Sequence, residues 1–491
     1  MKQKDAWGTP TSVGELFIRY WRWAADWSTS ERLAASLDSN DFRTLVRGAL
    51  AKDDEEDLLS TLGRVIPRHD EAIARPQILA LLQEFDDAFL RIHPRSLTAA
   101  GETRASRVPA WLRRYREQRN TYGIYAESGD FRLLPRGPLC RPPRDAFASH
   151  AETLADRFSA LTVYTRSIRH KQMALTIDHV VVSLSATDGI SPVRRRGHER
   201  VVSVPMMEQD ADLSLELRET GGREYVSYSL SSDIDVVDRL SRAVSASEGG
   251  DILIAPEFAV DATAAEELAK YLQRNNAIGY GLIAAGTGDL ADPNGDFPFN
   301  EMRLMNGLGV VLWRQRKIWP AFISGDVARQ LSLQPKSDQI YEASSSCKTL
   351  VIADVDALGR VMVLICQDFK MQAASSLIED LQPDWVIVPV MDSGVSVSRW
   401  SHQRAFELSE ITQSRFLICS GLSMAKRMKY DDPIQCLCAM GPKAPSDPLD
   451  LERAFTAEAA KGAHGARYAE LTWRGAGWQQ STLSAAPRRE S

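Results

Sequence analysis

The chain has 491 residues, 44% hydrophobic, 25% charged and 8% aromatic. At roughly 150 residues per domain this suggests two or three domains with ample core material, which excludes wholesale disorder and fibrous architecture. A formal net charge of −6 gives the whole chain no pull towards polyanions. No window approaches about 18 uninterrupted apolar residues, so no membrane span is expected.

The opening residues MKQKDAWGTPTSVGELF lack the apolar run of a signal peptide, and a cytoplasmic location is expected. Six cysteines (Cys140, Cys347, Cys366, Cys419, Cys436 and Cys438) are too sparse for a disulfide scaffold. Up to about residue 175 apolar residues recur at helical spacing. Helices are expected over Val13–Trp27, Ser30–Leu37, Asp41–Ala51, Glu55–Val65 and Ile78–Ile92, with Ser30, Asn40 and Asp41 as caps and Pro76 near a helix start. Pro94–Pro143 reads as an irregular connector holding a short helix at Ala110–Gln118, and a further helix is expected from Asp145 to about Ile168. Residues 1–175 therefore form one expected unit and 176–491 a second.

In the second unit, VVVSLSA (180–186) and YVSYSL (225–230) read as strands. A helix carrying Ile234, Val237, Leu240 and Val244 leads into the apolar strand DILIAPE (251–257). Thr263–Arg274 is again helical, and GYGLIAAGT (279–287) is strand. VMVLIC (361–366), WVIVPV (385–390) and RFLICSG (415–421) are short apolar runs of the kind buried in a layered sheet. This is an α/β pattern, and its end from about Ala485 is expected to be loose.

Three strand-like segments carry reactive groups: Glu257 closes DILIAPE, Lys317 sits in LWRQRKIWP, and Cys366 closes VMVLIC. Together they suit attack on an electrophilic carbon bonded to nitrogen. A thiolate is the nucleophile, a partly buried carboxylate can take and return its proton, and a fixed ammonium can hold negative charge developing on an intermediate.

In their order these segments resemble the nitrilase, or carbon–nitrogen hydrolase, superfamily. ILIAPEF resembles the segment of the catalytic glutamate, and Asn300, Gly309 and Lys317 in NEMRLMNGLGVVLWRQRK fall at the family's Asn…Gly…Lys spacing. GRVMVLICQDF resembles the nucleophile segment, with Gly359 at the turn and Asp368 two residues beyond Cys366. DWVIVPV, Trp400, RAFE (404–407) and RFLICSG follow in family order, so the resemblance runs over roughly residues 225–475. It implies a four-layer α-β-β-α sandwich, here preceded by a mainly α-helical N-terminal region. It further implies a cysteine-dependent hydrolase of non-peptide C–N bonds, an amidase ahead of a nitrilase, working through a thioester without metal or organic cofactor. Its substrate would be a small amide or nitrile, and a homo-oligomer is expected. Glu257 would be the base, Lys317 the oxyanion holder, Cys366 the nucleophile, and the backbone N–H of Gln367 a further oxyanion donor.

Two departures stand out. Family members carry a second glutamate shortly after the lysine; here IWPAFISGD offers only Asp326, and Glu342 lies further on. Gln367 replaces an aromatic residue. The missing second glutamate and the large helical N-terminal region motivate the alternative of a catalytically weak scaffold or ligand sensor. A third reading, an effector in a nucleic-acid-linked and even anti-phage system, rests on Arg104, Arg107, Arg113, Arg114, Arg116 and Arg119 interleaved with Trp111 and Tyr115, and on Arg194–Arg196. Solvated helix faces explain these charges equally well. Arg404 and Glu407 are expected to form a structural ion pair, His402 to serve packing, and Cys436 with Cys438 to hold no zinc.

Overall fold

A computed structural model describes residues 10–35, 40–66, 71–95, 108–141, 153–170, 173–182, 197–247, 250–275, 279–429, 435–443, 453–474 and 477–480. The helices of the first unit run Val13–Ala25, Thr29–Ala34, Asn40–Leu50, Glu55–Val65, Glu71–Leu90 and Ala110–Tyr122. Side-chain oxygens start several of them. Ser12 accepts from the backbone N–H of Glu15 and Asp54 from that of Asp57. Ser28, not Ser30, caps Thr29–Ala34 through a reciprocal box with Glu31. Glu71–Leu90 starts earlier than expected and keeps Pro76 inside it. Phe17, Phe85, Phe89, Trp111 and Leu112 are fully buried in the common core of this unit.

The helix expected over Asp145–Ile168 is corrected. Residues 142–152 lie outside the described residues, and Leu161–Thr165 and Ser167–His170 are strands. Thr162, Val163, Tyr164 and Thr165 are β-branched or aromatic, and pairing with Phe131–Pro135 outweighs any helical spacing. The Asp86 carboxylate fixes the entry to this strand by accepting from the N–H groups of Ser159, Ala160 and Leu161 at 2.8, 2.9 and 2.7 Å. Ala126–Ser128, Phe131–Pro135 and Leu161–Thr165 make a three-stranded sheet packed among the helices. The expected boundary at residue 175 falls within the strand Met173–Val182.

Among the described residues the chain builds two eight-stranded sheets, one of which takes in this strand and Ser167–His170. One runs in the order Val311–Arg316, Phe299–Met305, Leu282–Leu290, Ile252–Ile254, Arg200–Ser203, Arg467–Arg474 and Ala460–Lys461, with Gly477–Gln480 also on Arg467–Arg474. The other runs Ala454–Ala457, Leu437–Met440, Arg415–Ser420, Trp385–Val390, Gly359–Val363, Thr349–Val355, Met173–Val182 and Ser167–His170. Ile252, Ile254, Leu282 and Leu304 of the first sheet share one apolar cluster with Val361, Val363, Ile387 and Leu417 of the second, so the sheets pack face to face. Alternate residues point the other way. Leu253, Ile283 and Met305 meet Leu240 and Leu268 of the helices Val236–Ala246 and Ala262–Asn275. Met362, Val386 and Phe416 meet Leu377 and Leu408 of Gln372–Leu381 and Trp400–Ile411. The result is the four-layer α-β-β-α sandwich. The near-continuous apolar strands follow from this, since each is covered on both faces.

A smaller four-stranded sheet is ordered Phe322–Ser324, Gln339–Glu342, Arg223–Leu230 and Leu213–Thr220, and of it the sequence named only YVSYSL (225–230) as a strand. The helical unit is tied to the second large sheet. The N–H of Leu139 donates to Asp384 Oδ2 at 2.8 Å, Arg360 Nη1 donates to the carbonyl of Pro135 at 2.7 Å, and Gly137 N–H donates to the carbonyl of Leu381 at 2.9 Å. Asp384 and Arg360 stand at the beginnings of their parallel strands, whereas Cys366 follows the end of one. These ties therefore sit at the opposite end of the sheet from the thiol.

Candidate active site

Each of the three expected groups stands just past a strand of a large sheet. Glu257 follows Ile252–Ile254, Lys317 follows Val311–Arg316, and Cys366 follows Gly359–Val363. Apolar packing fixes Ile252–Ile254 and Gly359–Val363, and antiparallel pairing with Phe299–Met305 fixes Val311–Arg316, so their tips are held firmly. Gly309 has φ +74° at the turn that returns the chain towards Lys317, and a Cβ there would lie 2.2 Å from the carbonyl oxygen of Ala269. Gly359 has φ +94° and lets the chain pass beside Asp384, whose carboxylate a Cβ would meet at 2.2 Å.

The structure brings Glu257, Lys317 and Glu342 together. Lys317 Nζ donates to Glu257 Oε1 at 2.6 Å and also to Glu342 Oε2. All three side chains are buried. Asn300 Nδ2 donates to Glu257 Oε1 at 3.0 Å, and the N–H of Met391 donates to Glu257 Oε2 at 2.9 Å. The N–H of Ala321 donates to Glu342 Oε2 at 2.9 Å. Both carboxylates are thus oriented by donors other than the lysine.

Asp368 ties the lysine segment to the cysteine segment. Its carboxylate accepts from the N–H groups of Ile318 at 3.1 Å, Trp319 at 2.9 Å and Ile365 at 3.2 Å. Burial pushes its pKa up to about 7. Cys366 itself is partly exposed and has φ +49°, a left-handed backbone unusual for a non-glycine residue. Phe258, next to Glu257, has φ +57° and is held by its N–H donating to Thr287 Oγ1 at 3.0 Å. Such backbones cost about 1–3 kcal/mol each and cluster where geometry serves chemistry.

The electrostatics follow from burial and crowding. Burial raises the pKa of Glu257, Glu342 adds to the rise, and the Lys317 ammonium opposes it. Lys317 is held well above its ordinary value: burial opposes its charge, but the carboxylates of Glu257 and Glu342 outweigh it. Burial, then the charge of Glu257, pushes the Cys366 thiol well up while Lys317 pulls it down. The thiol lies within hydrogen-bond reach of the Glu257 carboxylate. Asp392 adds a further negative charge near Cys366 and is held by Trp400 Nε1 at 2.6 Å.

The remaining candidates fall elsewhere. Asp326 is on the surface, its side chain 84% exposed and paired with Arg329 at 2.6 Å. Gln367 follows Cys366 in a 3-10 turn, Cys366–Lys370. Arg404 and Glu407 are 3.6 Å apart as an ion pair, and His402 is buried in its helix. Trp111 and Tyr115 are buried in the helical core, so neither ring is available to stack on a base. Arg113 and Arg114 are exposed, whereas Arg104, Arg107 and Arg194–Arg196 lie outside the described residues. Among the described residues no cluster of His, Cys, Asp and Glu could hold a metal ion, and no helix is long and apolar enough to cross a membrane.

Sequence reasoning missed Tyr228, whose ring stacks on Phe258 at 5.0 Å between centroids and 23° between planes. YVSYSL was readable as a strand, but nothing in it says which site the strand overlies.

No family model matches the sequence, and no curated protein matches it. Similar solved structures include Nit3 of Saccharomyces cerevisiae, a member of branch 10 of the nitrilase superfamily, at 14% identity over 58% of this chain and 93% of that one, with a TM-score of 0.37. The NitFhit protein of C. elegans is similar at 12% identity over 59% of this chain and 62% of that one, with a TM-score of 0.34. An amidase from Nesterenkonia sp. is similar at 13% identity over 52% of this chain and 90% of its own, with a TM-score of 0.29.

Proposed function

We propose that the protein is a cysteine-dependent hydrolase of non-peptide C–N bonds, acting on small amides ahead of nitriles. The observation that carries this reading is the buried ammonium of Lys317 clasped between Glu257 and Glu342, with the Cys366 thiol beside Glu257 on a left-handed backbone. A purely structural ion pair has no need of a neighbouring thiol on a left-handed backbone or of two carboxylates on one lysine.

Cys366 attacks the amide carbon as Glu257 takes the thiol proton, and the carbonyl oxygen becomes an oxyanion. Lys317 holds that charge, with the N–H of Gln367 as a second donor. Glu257 returns the proton to the departing nitrogen, the C–N bond breaks, and an acyl thioester remains on Cys366. Water then gives a proton to Glu257 and adds to the thioester, and the acid leaves as the thiol is restored. Glu342 keeps Lys317 charged and in place, the service expected of a second family glutamate. The contact of Glu342 with Lys317 supports this reading over the scaffold alternative.

The test is ammonia release from a panel of short aliphatic amides and nitriles by purified wild type and Cys366→Ala. Turnover by the wild type and none by the variant is expected. Equal background release from both removes the proposal.

A further inference from the structure

The four-stranded sheet places a second group over the same site. Tyr228 lies on the strand Arg223–Leu230, which pairs in parallel with Gln339–Glu342, Glu342 opposite Val226. Its ring lies almost flat on Phe258, the residue after Glu257, and Lys317 Nζ is 5.8 Å from the centre of that same Phe258 ring. One phenol is thus carried to the Glu257–Lys317–Glu342 cluster by a hairpin, Leu213–Leu230, that belongs to neither large sheet.

Two hydrogen-bonding capacities are unfilled there. Glu342 Oε1 is buried without a partner among the described residues, and the hydroxyl of half-buried Tyr228 bonds none of them. Burial pushes the pKa of that hydroxyl far up, the negative charge of Glu342 and then of Glu257 adds to the rise, and the Lys317 ammonium opposes it. A neutral phenol is therefore a donor at every working pH, and it can also accept. A tyrosine serving only as packing against Phe258 would do as well as phenylalanine.

We infer that Tyr228 is a substrate-contacting residue whose hydroxyl hydrogen-bonds a polar group on the substrate beside the reacting carbon. The substrate class this selects is a small amide whose acyl part itself carries a carbonyl, hydroxyl or amide. The inference rests on the proposed hydrolase reading and adds the residue that sets its preference.

The test uses two small alkylating probes and follows labelling at Cys366 by peptide mass spectrometry. In each, the thiol proton passes to Glu257, the S–C bond forms and halide leaves. Chloroacetamide carries an amide for Tyr228 to bind, whereas allyl bromide is of similar size and carries none. Tyr228→Phe keeps the ring and removes the hydroxyl. The expected result is a fall of about fivefold in the ratio of chloroacetamide to allyl bromide labelling, the scale of one neutral hydrogen bond. Allyl bromide labelling and the thermal midpoint should stay at wild-type values. An unchanged ratio overturns the role of Tyr228 and leaves the hydrolase reading standing. Failure of both probes to label wild-type Cys366 overturns the hydrolase reading, and the role of Tyr228 falls with it.

Discussion

Replacing Glu342 with glutamine keeps the shape of the side chain and removes one of the two negative charges on Lys317. Lys317 keeps Glu257 at 2.6 Å, so the ammonium is not left bare, and large unfolding is not expected. What changes is its fixing. A charge-assisted hydrogen bond contributes about 1.5–3 kcal/mol, and the ammonium must hold the oxyanion without shifting towards Glu257. Glu342 also helps to raise the pKa of Glu257, so the variant carries a weaker base. Loss of about 2.5 kcal/mol of transition-state stabilisation corresponds to roughly a hundredfold in kcat/KM. The assay is ammonia release from the best amide of the panel, beside Asp326→Asn, whose exposed carboxylate pairs only with Arg329 and should leave activity within about twofold. If E342Q retains activity within threefold of wild type, or D326N falls as far as E342Q, Glu342 is not the acid that completes this site.

Two other outcomes follow from buried charges. Glu257 acts as base only when ionised, and its pKa lies above the ordinary glutamate value, so kcat/KM should fall as pH drops through a midpoint above about 4.5; Glu257→Gln should remove that limb along with most of the activity, and a flat profile down to pH 4 would count against its role. Asp354 is buried with Arg360 Nε at 2.8 Å and His179 Nε2 at 3.2 Å, which hold its carboxyl well below the usual range. Its stabilising contribution is present above the unfolded value near 4 and is lost as pH falls below it. Asp354→Asn leaves Arg360 without its charge partner and should cost about 3–5 kcal/mol at neutral pH, read as a lower denaturant midpoint; a wild-type midpoint would show that the pair contributes nothing.

Much of the sandwich was legible because a strand covered on both faces has no choice but to be apolar throughout, as in VMVLIC and WVIVPV. The residues closing those runs were legible as a set for the same reason: strand tips are where reactive groups are held. Glu342 was visible only as a distant candidate, since its place beside Lys317 depends on the parallel pairing of Gln339–Glu342 with Arg223–Leu230 across more than a hundred residues. No local spacing records such a pairing. The helix expected over Asp145–Ile168 failed where strand pairing with Phe131–Pro135 overrode a weak helical pattern. The interleaved arginines and aromatics of Ala110–Tyr122 are one amphipathic helix, with Trp111 and Tyr115 one turn apart on its inner face and Arg113 and Arg114 outside. Composition alone does not separate such a helix from a nucleic-acid surface.

Glu257 and Lys317 come from one large sheet, Cys366 from its partner, and Glu342 from the small sheet, so no single piece of the molecule owns the chemistry. A folding intermediate holding any two of these parts would be inert. A partly opened form that releases only the small sheet would retain a thiol and a base yet lose the clasp on the amine. In the proposed hydrolase, turnover therefore reports complete docking, and its loss under gentle denaturant should precede the main unfolding transition.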